Sequence, residues 1–189
     1  MFKKFINNYI RSKIILLEKV RGYYWKILIK SCGGTCGKNL RVGRDVKFKY
    51  GPSENIHIGD NVYIGDFSII DVNHSASLNL GSNSYLSVGV FIAANSRISI
   101  GDCSLIAEYT SIRDHNHGID LNQEVFVQSN VSEKIEIGYD VWIGRGCVVL
   151  KGVCIEDKCI VGANSVVNKD LNYASIAVGA PAKKIKARV

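Results

Sequence analysis

The chain has 189 residues, of which 47% are hydrophobic and only two are proline. A chain of this size and composition can bury one substantial core and is too short for two ordinary domains. Its net charge of +7 is uneven: residues 1–30 hold eight Lys and Arg against one acidic residue, which leaves 16 basic and 16 acidic residues in the remainder. A neutral body argues against a nucleic-acid-binding protein and directs attention to the basic N-terminal segment.

Residues 2–30 predict one helix or two, within an N-terminal segment that we place at residues 1–34. Apolar residues recur there at intervals of three and four, with Gly22 as the expected bend. Charged residues between 11 and 21 leave no apolar run that could span a bilayer. The segment is expected either to pack on the main domain or a neighbouring subunit, or to contact an anionic membrane as a peripheral helix. The apolar positions are Phe2, Phe5, Ile6, Tyr9, Ile10, Leu16, Leu17, Val20, Tyr24, Ile27 and Leu28.

From residue 40 onward the sequence follows a six-residue period. Each period starts with an aliphatic residue, often has glycine second, and has a small residue fifth. This period fits short strands and tight turns wound into a triangular prism, with three periods to a coil and the aliphatic residues stacked inside. The residues that open successive coils are Ile58, Leu80, Ile100, Ile137 and Ile155. The small residues are Val62, Ser68, Ser84, Val90, Ser96, Ser104, Thr110, Val141, Cys147, Val153, Cys159 and Ser165.

The repeat is typical of the left-handed parallel β-helix, and residues 40–189 resemble the hexapeptide-repeat acyltransferases. The resemblance implies an all-β prism over residues 40–170, preceded by the helical segment and followed by a tail at residues 171–189. The repeat alone does not determine the activity, because sugar-nucleotide enzymes, serine acetyltransferases and γ-class carbonic anhydrases share it.

The period stops at one place, and residues 118–134 form a polar stretch that we expect to leave one corner of the prism as a loop. His117-Gly118-Ile119-Asp120 opens it, and Val141-Trp142-Ile143-Gly144 follows it. These stretches resemble the His-Pro-aliphatic-Asp and Val-Trp-Ile-Gly motifs of the maltose, galactoside and surface-polysaccharide O-acetyltransferases, with glycine in place of the usual proline.

An imidazole suits the chemistry of these enzymes, because a base that titrates near neutrality can take a proton from an acceptor hydroxyl as it attacks a thioester. We expect His117 to be this general base. His115 is the alternative, and Asp114 could orient either ring or bind acceptor hydroxyls. Both histidines could also be structural.

The C-terminal stretches Val161-Gly162-Ala163-Asn164-Ser165 and Val178-Gly179-Ala180-Pro181-Ala182-Lys183 also resemble this family. The resemblance implies that Gly144, Ala163, Lys169 and Lys183 contact acetyl-CoA, and that Trp142 lines the acceptor or thioester end. Lys183, Lys184, Lys186 and Arg188 form a basic cluster suited to the phosphates. The simpler alternatives are a solvated charged tail and a core tryptophan.

No metal is expected to be required. Cys103, Cys147, Cys154 and Cys159 fall inside the repeat. Cys147 and Cys159 occupy its small-residue position, where cysteine acts as a small filler that suits a reducing cytoplasm. Cys32 and Cys36 could bind metal, but no second Cys/His pair has matching spacing. The γ-class carbonic anhydrases need three converging histidines, and His57 and His74 are poorly placed to join His115 and His117.

The sequence therefore predicts an acetyl-CoA-dependent O-acetyltransferase that acts on a sugar hydroxyl in bacterial surface-polysaccharide synthesis. The resemblance implies a homotrimer with sites between subunits. Aromatic residues expected on the flat walls of the prism also favour burial against a neighbouring subunit. We expect a cytoplasmic protein that acts on a carbohydrate acceptor. If the N-terminal segment holds it at the inner face of the membrane, that acceptor could be lipid-linked. The alternatives are N-acetylation of an aminosugar nucleotide and a non-catalytic trimeric scaffold.

Overall fold

A computed structural model describes the backbone of residues 2–189 and the side chains of residues 6, 7 and 9–189. The chain starts with one helix, α1 (Phe2–Ser31). The strands before the long loop are β1 (Thr35–Cys36), β2 (Arg41–Val42), β3 (Lys47–Phe48), β4 (Ile56–Ile58), β5 (Tyr63–Ile64), β6 (Ile69–Val72), β7 (Ser77–Leu80), β8 (Tyr85–Leu86), β9 (Phe91–Ala94), β10 (Arg97–Ile100), β11 (Leu105–Ile106) and β12 (Ser111–Arg113). Between these two groups of strands the chain forms β13 (His115–His117), a 3₁₀ turn (Val125–Val127) and β14 (Asn130–Ser132). The strands after it are β15 (Ile135–Ile137), β16 (Trp142–Ile143), β17 (Val148–Val149), β18 (Cys154–Ile155), β19 (Ile160–Val161), β20 (Val166–Val167), β21 (Ser175–Val178) and β22 (Lys183–Ala187).

The strands form three walls of a left-handed parallel β-helix, which confirms the predicted fold class. The first wall has the order β1-β4-β7-β10-β15-β18, and the third has the order β3-β6-β9-β12-β17-β20. The second wall has the order β2-β5-β8-β11-β16-β19-β21-β22, in which only the last pair is antiparallel. We call the edge between the second and third walls the second corner. The edge at which the chain leaves the third wall is the third corner.

The core is the stack of aliphatic side chains that the period predicts. Ile58 pairs with Leu80, Leu80 with Ile100, Ile100 with Ile137, and Ile137 with Ile155. All five are buried, and the pairing continues across the loop without a change of register. Burial of large aliphatic side chains is the main stabilising contribution in such a fold.

The small fifth positions are buried, with one exception. Ser96 is exposed, and its backbone N–H donates to the carboxylate of Asp114 at 2.7 Å. The polar small side chains elsewhere donate to backbone carbonyls, as the Cys147 thiol does to that of Gly162 at 3.1 Å. Burial raises the pKa of that thiol, so Cys147 is held as a neutral filler.

Helix α1 packs on the first coil and continues through Gly22 without interruption, so the structure has one helix and not two. Gly22 lies against the prism instead: a Cβ atom there would come within 1.9 Å of the Leu40 carbonyl oxygen. Further along the helix, Ile29 is fully buried and the Trp25 ring packs 4.4 Å from the Phe48 ring. The glycine is therefore needed for close approach of two backbones.

A buried carboxylate joins the middle of α1 to the second wall. Glu18 accepts a hydrogen bond from the Tyr63 hydroxyl at 3.3 Å and lies 3.6 Å from the Arg41 guanidinium. Burial, followed by the charge of Glu18, raises the pKa of Tyr63 to about 12. The neutral phenol is thus the form that the docked helix favours.

This pKa predicts how stability depends on pH. Since the unfolded tyrosine loses its proton near pH 10 and the folded one near 12, the contribution of Tyr63 is complete below pH 10 and is lost as the pH rises toward 12. Between these values the free energy of unfolding should fall more steeply for the wild type than for Tyr63→Phe. Urea unfolding at several pH values measures this free energy for both proteins. Equal dependence on pH in the wild type and in Tyr63→Phe would contradict a raised pKa of Tyr63.

The opposite face of α1 has no cover within the described chain. We call it the outer face, and its apolar side chains are about half exposed or more. They are Tyr9, Leu16, Val20, Tyr23, Tyr24 and Ile27. Lys19 and Lys30 are also exposed. The side chains of Phe2, Lys3, Lys4 and Phe5, which belong to the predicted basic and apolar segment, lie outside the described side chains. No helix within residues 2–189 is both long and apolar enough to cross a membrane.

Candidate functional site

The chain leaves the third corner at residue 115, three residues before the predicted loop (residues 118–134), and forms a two-stranded ribbon. After β12 the Asp114 N–H still donates to Ala93 in the coil below, at 3.2 Å, and the chain then turns outward into β13. β13 pairs antiparallel with β14, so that His115 faces Ser132 and His117 faces Asn130. The returning chain donates from the Glu133 N–H to the Asp114 carbonyl at 2.8 Å. The chain segments that leave and re-enter the prism are therefore hydrogen-bonded to each other at Asp114.

The carboxylate of Asp114 is fully buried and has three hydrogen-bond partners. It accepts from the backbone N–H groups of Asn95 at 2.8 Å and Ser96 at 2.7 Å. One of its oxygens also lies 3.0 Å from Nδ1 of His115. Hydrogen bonds to an ionised carboxylate are among the stronger ones in proteins, so this contact orients the His115 ring.

His115 and His117 lie two residues apart on β13 and therefore on the same face of the ribbon, but their surroundings differ. Only 13% of the His115 side chain is exposed, whereas His117 is exposed to solvent. The structure thus separates an oriented, largely buried imidazole from an accessible one. Asn116, between them, points to the opposite face.

The loop beyond the ribbon is held together by its own polar groups. The Gln128 side chain accepts from the Asp120 N–H at 2.8 Å and donates to the carbonyls of Asp120 and Gln123, both at 2.9 Å. A Cβ atom at Gly118 would come within 2.5 Å of the Gln128 amide oxygen. Gly118 therefore makes room for this side chain.

A second fastening holds the end of the loop. Lys151 in the next coil forms a salt bridge with Glu133, and the Gly152 N–H donates to the Glu133 carbonyl at 3.1 Å. Gly152 has a φ of +78°, and a Cβ atom there would lie 2.5 Å from the Glu133 carboxylate. Both ends of the ribbon are thus tied to the third corner.

The residues predicted to contact the acyl donor divide between two corners. Gly144 and Ala163 stack at the second corner, where a Cβ atom on Gly144 would lie 2.7 Å from the Ala163 nitrogen. Lys183 pairs with Val178, whose side chain covers Gly162 in the same region. Lys169 follows β20 at the third corner, as Asp114 follows β12. Within one chain Lys169 is therefore on the histidine side and not with Gly144.

Trp142 lies on the second wall, outside the core. It is in register with Leu105 below and Ile160 above and is 48% exposed. With Tyr85 and Leu105 it forms an exposed apolar column along that wall. This position excludes a core role within the described chain and leaves Trp142 available to a ligand or a neighbouring copy.

The basic C-terminal cluster is smaller than predicted. Lys183, Lys184 and Lys186 are exposed on β22, but Arg188 forms an ion pair with Asp140 at 3.1 Å and donates to the Asp140 carbonyl at 3.1 Å. Arg188 therefore fastens the tail to the prism, and three lysines remain for an anion.

All six cysteines are free, and no three His, Cys, Asp or Glu side chains converge among the described residues. Nothing in the local sequence distinguishes Gln128, Glu133 and Lys151 from other polar residues, so their roles could not be predicted. Glu133 and Lys151 are brought together only by the coil that follows the loop.

Comparison with known proteins places this geometry in a family. Residues 134–169 match the family model described as bacterial transferase hexapeptide (six repeats). The chain is 31% identical to WbbJ of Escherichia coli K12, whose name describes an O-acetyl transferase of lipopolysaccharide biosynthesis, over 70% of this chain and 71% of that protein. It is 30% identical to a dTDP-4-amino-4,6-dideoxy-D-glucose acyltransferase of Escherichia coli, over 88% of each chain.

A solved structure agrees with these relatives. The N-acyltransferase AntD from Bacillus cereus, in complex with dTDP and coenzyme A, superposes with a TM-score of 0.70 at 26% identity, covering 82% of this chain and 84% of that one. Two further acetyltransferase relatives are longer, and the chain spans 49% and 66% of their lengths. Both the sequence relatives and the fold lead to one conclusion: the chain belongs to the hexapeptide-repeat acyltransferases.

Proposed function

We propose that this protein is an acetyl-CoA-dependent O-acetyltransferase that acts on a sugar hydroxyl in the synthesis of a bacterial surface polysaccharide. The observation that carries the proposal is the histidine ribbon, which is rigidly fastened beside a buried carboxylate and presents an accessible imidazole. The relationship to WbbJ supports oxygen as the acceptor atom and a polysaccharide as the context.

In the proposed reaction His117 takes the proton of the acceptor hydroxyl as that oxygen attacks the thioester carbonyl carbon. The carbon–sulfur bond breaks, the acetyl group remains on the acceptor oxygen, and the CoA thiolate takes up a proton as it leaves. Asp114 and His115 act as positioning residues that hold the ribbon. The Asp114–His115 contact is also the specific observation that favours His115 as the second candidate for the base.

The division of residues between two corners supports a homotrimer. Gly144, Ala163 and Lys183 lie at the second corner, whereas His117 and Lys169 lie at the third, with the third wall of the prism between them. One donor molecule can touch both groups only if the second corner of one copy faces the third corner of the next. Gly144 and Ala163 have little or no side chain, which would leave room beside them for an extended pantetheine arm.

Subunit mixing tests this arrangement. His117→Ala and Lys183→Glu should each be inactive alone, because one lacks the base and the other repels the donor phosphates. Co-refolded or co-expressed mixtures should regain activity, since some interfaces then combine an intact base with an intact donor corner. A mixture as inactive as its two components would contradict sites shared between copies.

The decisive assay of the function is thiol release from acetyl-CoA with a panel of sugars, sugar nucleotides and lipid-linked glycans. Release that depends on a hydroxyl acceptor supports O-acetylation. Release that depends only on an amino sugar nucleotide supports N-acylation, the second candidate, which is favoured by the relationship to the dTDP-amino-sugar acyltransferase and to AntD. No binding and no turnover of acetyl-CoA would leave the non-catalytic scaffold.

We also propose that the outer face of α1 contacts anionic lipid, which would hold the protein at the inner face of the membrane near lipid-linked acceptors. Exposed apolar and aromatic side chains flanked by lysines suit the interfacial region of such a bilayer. The protein should sediment with phosphatidylglycerol-containing vesicles at low salt, less so at high salt, and not with pure phosphatidylcholine. The double variant Leu16→Ser/Val20→Ser should lose this binding. Sedimentation that depends neither on the anionic lipid nor on Leu16 and Val20 would contradict the proposal.

A further inference from the structure

The third corner carries a second group of side chains below the ribbon, in the coils that precede β12. Tyr50 follows β3 and His74 follows β6, at the corner where His115 follows β12. Both are exposed, and their rings lie 5.9 Å apart at an angle of 58°. Aromatic and imidazole rings therefore continue down the same edge.

Charged side chains line the adjacent part of the third wall. Lys49 lies 5.3 Å from the centroid of the Tyr50 ring and forms a 2.9 Å salt bridge with Asp71. One coil above, Ala93 pairs with Asp71 on one side and Arg113 on the other. These side-chain contacts and strand pairings connect Tyr50 with Arg113, the residue that directly precedes Asp114.

Arg113 is the cation in this group that has no carboxylate partner. Its side chain is exposed and its guanidinium lies 5.2 Å from the centroid of the Phe91 ring. No carboxylate oxygen of the described residues comes within 4 Å of it. With Lys49 paired to Asp71, the group keeps one uncompensated positive charge beside the ribbon. An arginine held against an aromatic ring is well suited to bind a carboxylate or phosphate.

We propose that Tyr50, His74, Lys49, Asp71 and Arg113 form a binding strip for an acidic oligosaccharide segment of the acceptor, next to the sugar that is acetylated. The inference rests on the proposed function, because it names a substrate class for the same site. β3 and β12 are three strand spacings apart, about 14 Å. The strip is therefore long enough for a short oligosaccharide and too long for one sugar. Rings supply apolar surface to sugar faces, and Arg113 supplies the recognition of an anionic group.

Binding measurements test this independently of turnover. Trigalacturonate and a hyaluronan tetrasaccharide are the acidic probes, with galacturonate and maltotriose as the short and the neutral controls, titrated into the full chain by calorimetry. At least one acidic oligosaccharide should bind about tenfold more tightly than either control, the size expected for one added charged hydrogen bond. Arg113→Gln and Tyr50→Ala should each remove most of that difference.

Matched variants control for charge and for loss of an aromatic ring. Arg97→Gln removes an exposed arginine on the first wall, and Tyr173→Ala removes an exposed tyrosine away from the strip; both should bind like the wild type. Acetyl-CoA affinity should be unchanged in all four variants. Failure of both acidic probes to bind, equal effects of Arg97→Gln and Arg113→Gln, or loss of acetyl-CoA binding in Arg113→Gln would each overturn the proposal. Arg113-dependent binding without thiol release for any acceptor would retain the strip and reject the transferase.

Discussion

His117→Ala is expected to lower acetyl transfer to a hydroxyl acceptor by about 10²- to 10⁴-fold, the contribution of a well-placed general base. We expect this loss because the His117 ring is accessible and stands on a ribbon that is fixed at both ends. The substitution removes no contact that holds the ribbon. The affinity for acetyl-CoA and the midpoint of thermal unfolding should therefore remain at their wild-type values. Initial rates of thiol release at saturating acceptor measure the loss.

Two histidine controls make this result specific. His115→Ala removes the contact with Asp114 and should cause a smaller loss of activity, with a raised KM for the acceptor as the ribbon loosens. His57→Ala removes a histidine of the first wall that contacts Thr35 and should be nearly silent. A His115→Ala enzyme that is dead beside an active His117→Ala enzyme would assign the base to His115.

Asp114→Ala is expected to cost about 3 kcal/mol of the free energy of unfolding. The substitution leaves the backbone N–H groups of Asn95 and Ser96 without their acceptor, and an unsatisfied buried donor costs about 1–3 kcal/mol. It also removes the partner of the His115 ring, so activity should fall as well. Asp114→Asn should be intermediate, because an amide oxygen can replace one acceptor but its NH₂ group faces a donor.

Asp102→Ala provides the control for that measurement. Its carboxylate also accepts a backbone N–H, that of Ser82 at 2.7 Å, but the residue is exposed and water can take its place. The cost there should stay within about 1 kcal/mol. Denaturant unfolding measures both losses of unfolding free energy. Equal losses for Asp102→Ala and Asp114→Ala would mean that burial is not what makes Asp114 important.

The prism could be predicted because its cause is local and repeated. Every third period places an aliphatic residue at the same point of the wall, so Ile58 and Ile155 are constrained by the same rule, and their burial follows from spacing alone. Gly22 shows the limit of such reasoning. A glycine within a helix suggests a bend when only helix propensity is considered, whereas here the carbonyl of Leu40 excludes any side chain.

The histidines of the candidate site stand out in the sequence, whereas the contacts that hold them in place do not. The His117 motif is visible as a break in the period, while the contact between Asp114 and His115 depends on a turn in the preceding coil. Lys169 shows a third case: its motif is recognisable, but only the winding of the chain shows that it lies at a different corner from Gly144 and Ala163.

The loop leaves and re-enters the ladder at the same level, since Ile100 still pairs with Ile137 across 36 intervening residues. The scaffold therefore imposes no length on the excursion, and the ends of the ribbon need only reach Asp114 and Glu133. Segments of different length and composition could be exchanged at these two points without rewinding the solenoid. Diversification of acceptor choice can then proceed by loop replacement, with the folding of the prism insulated from each change.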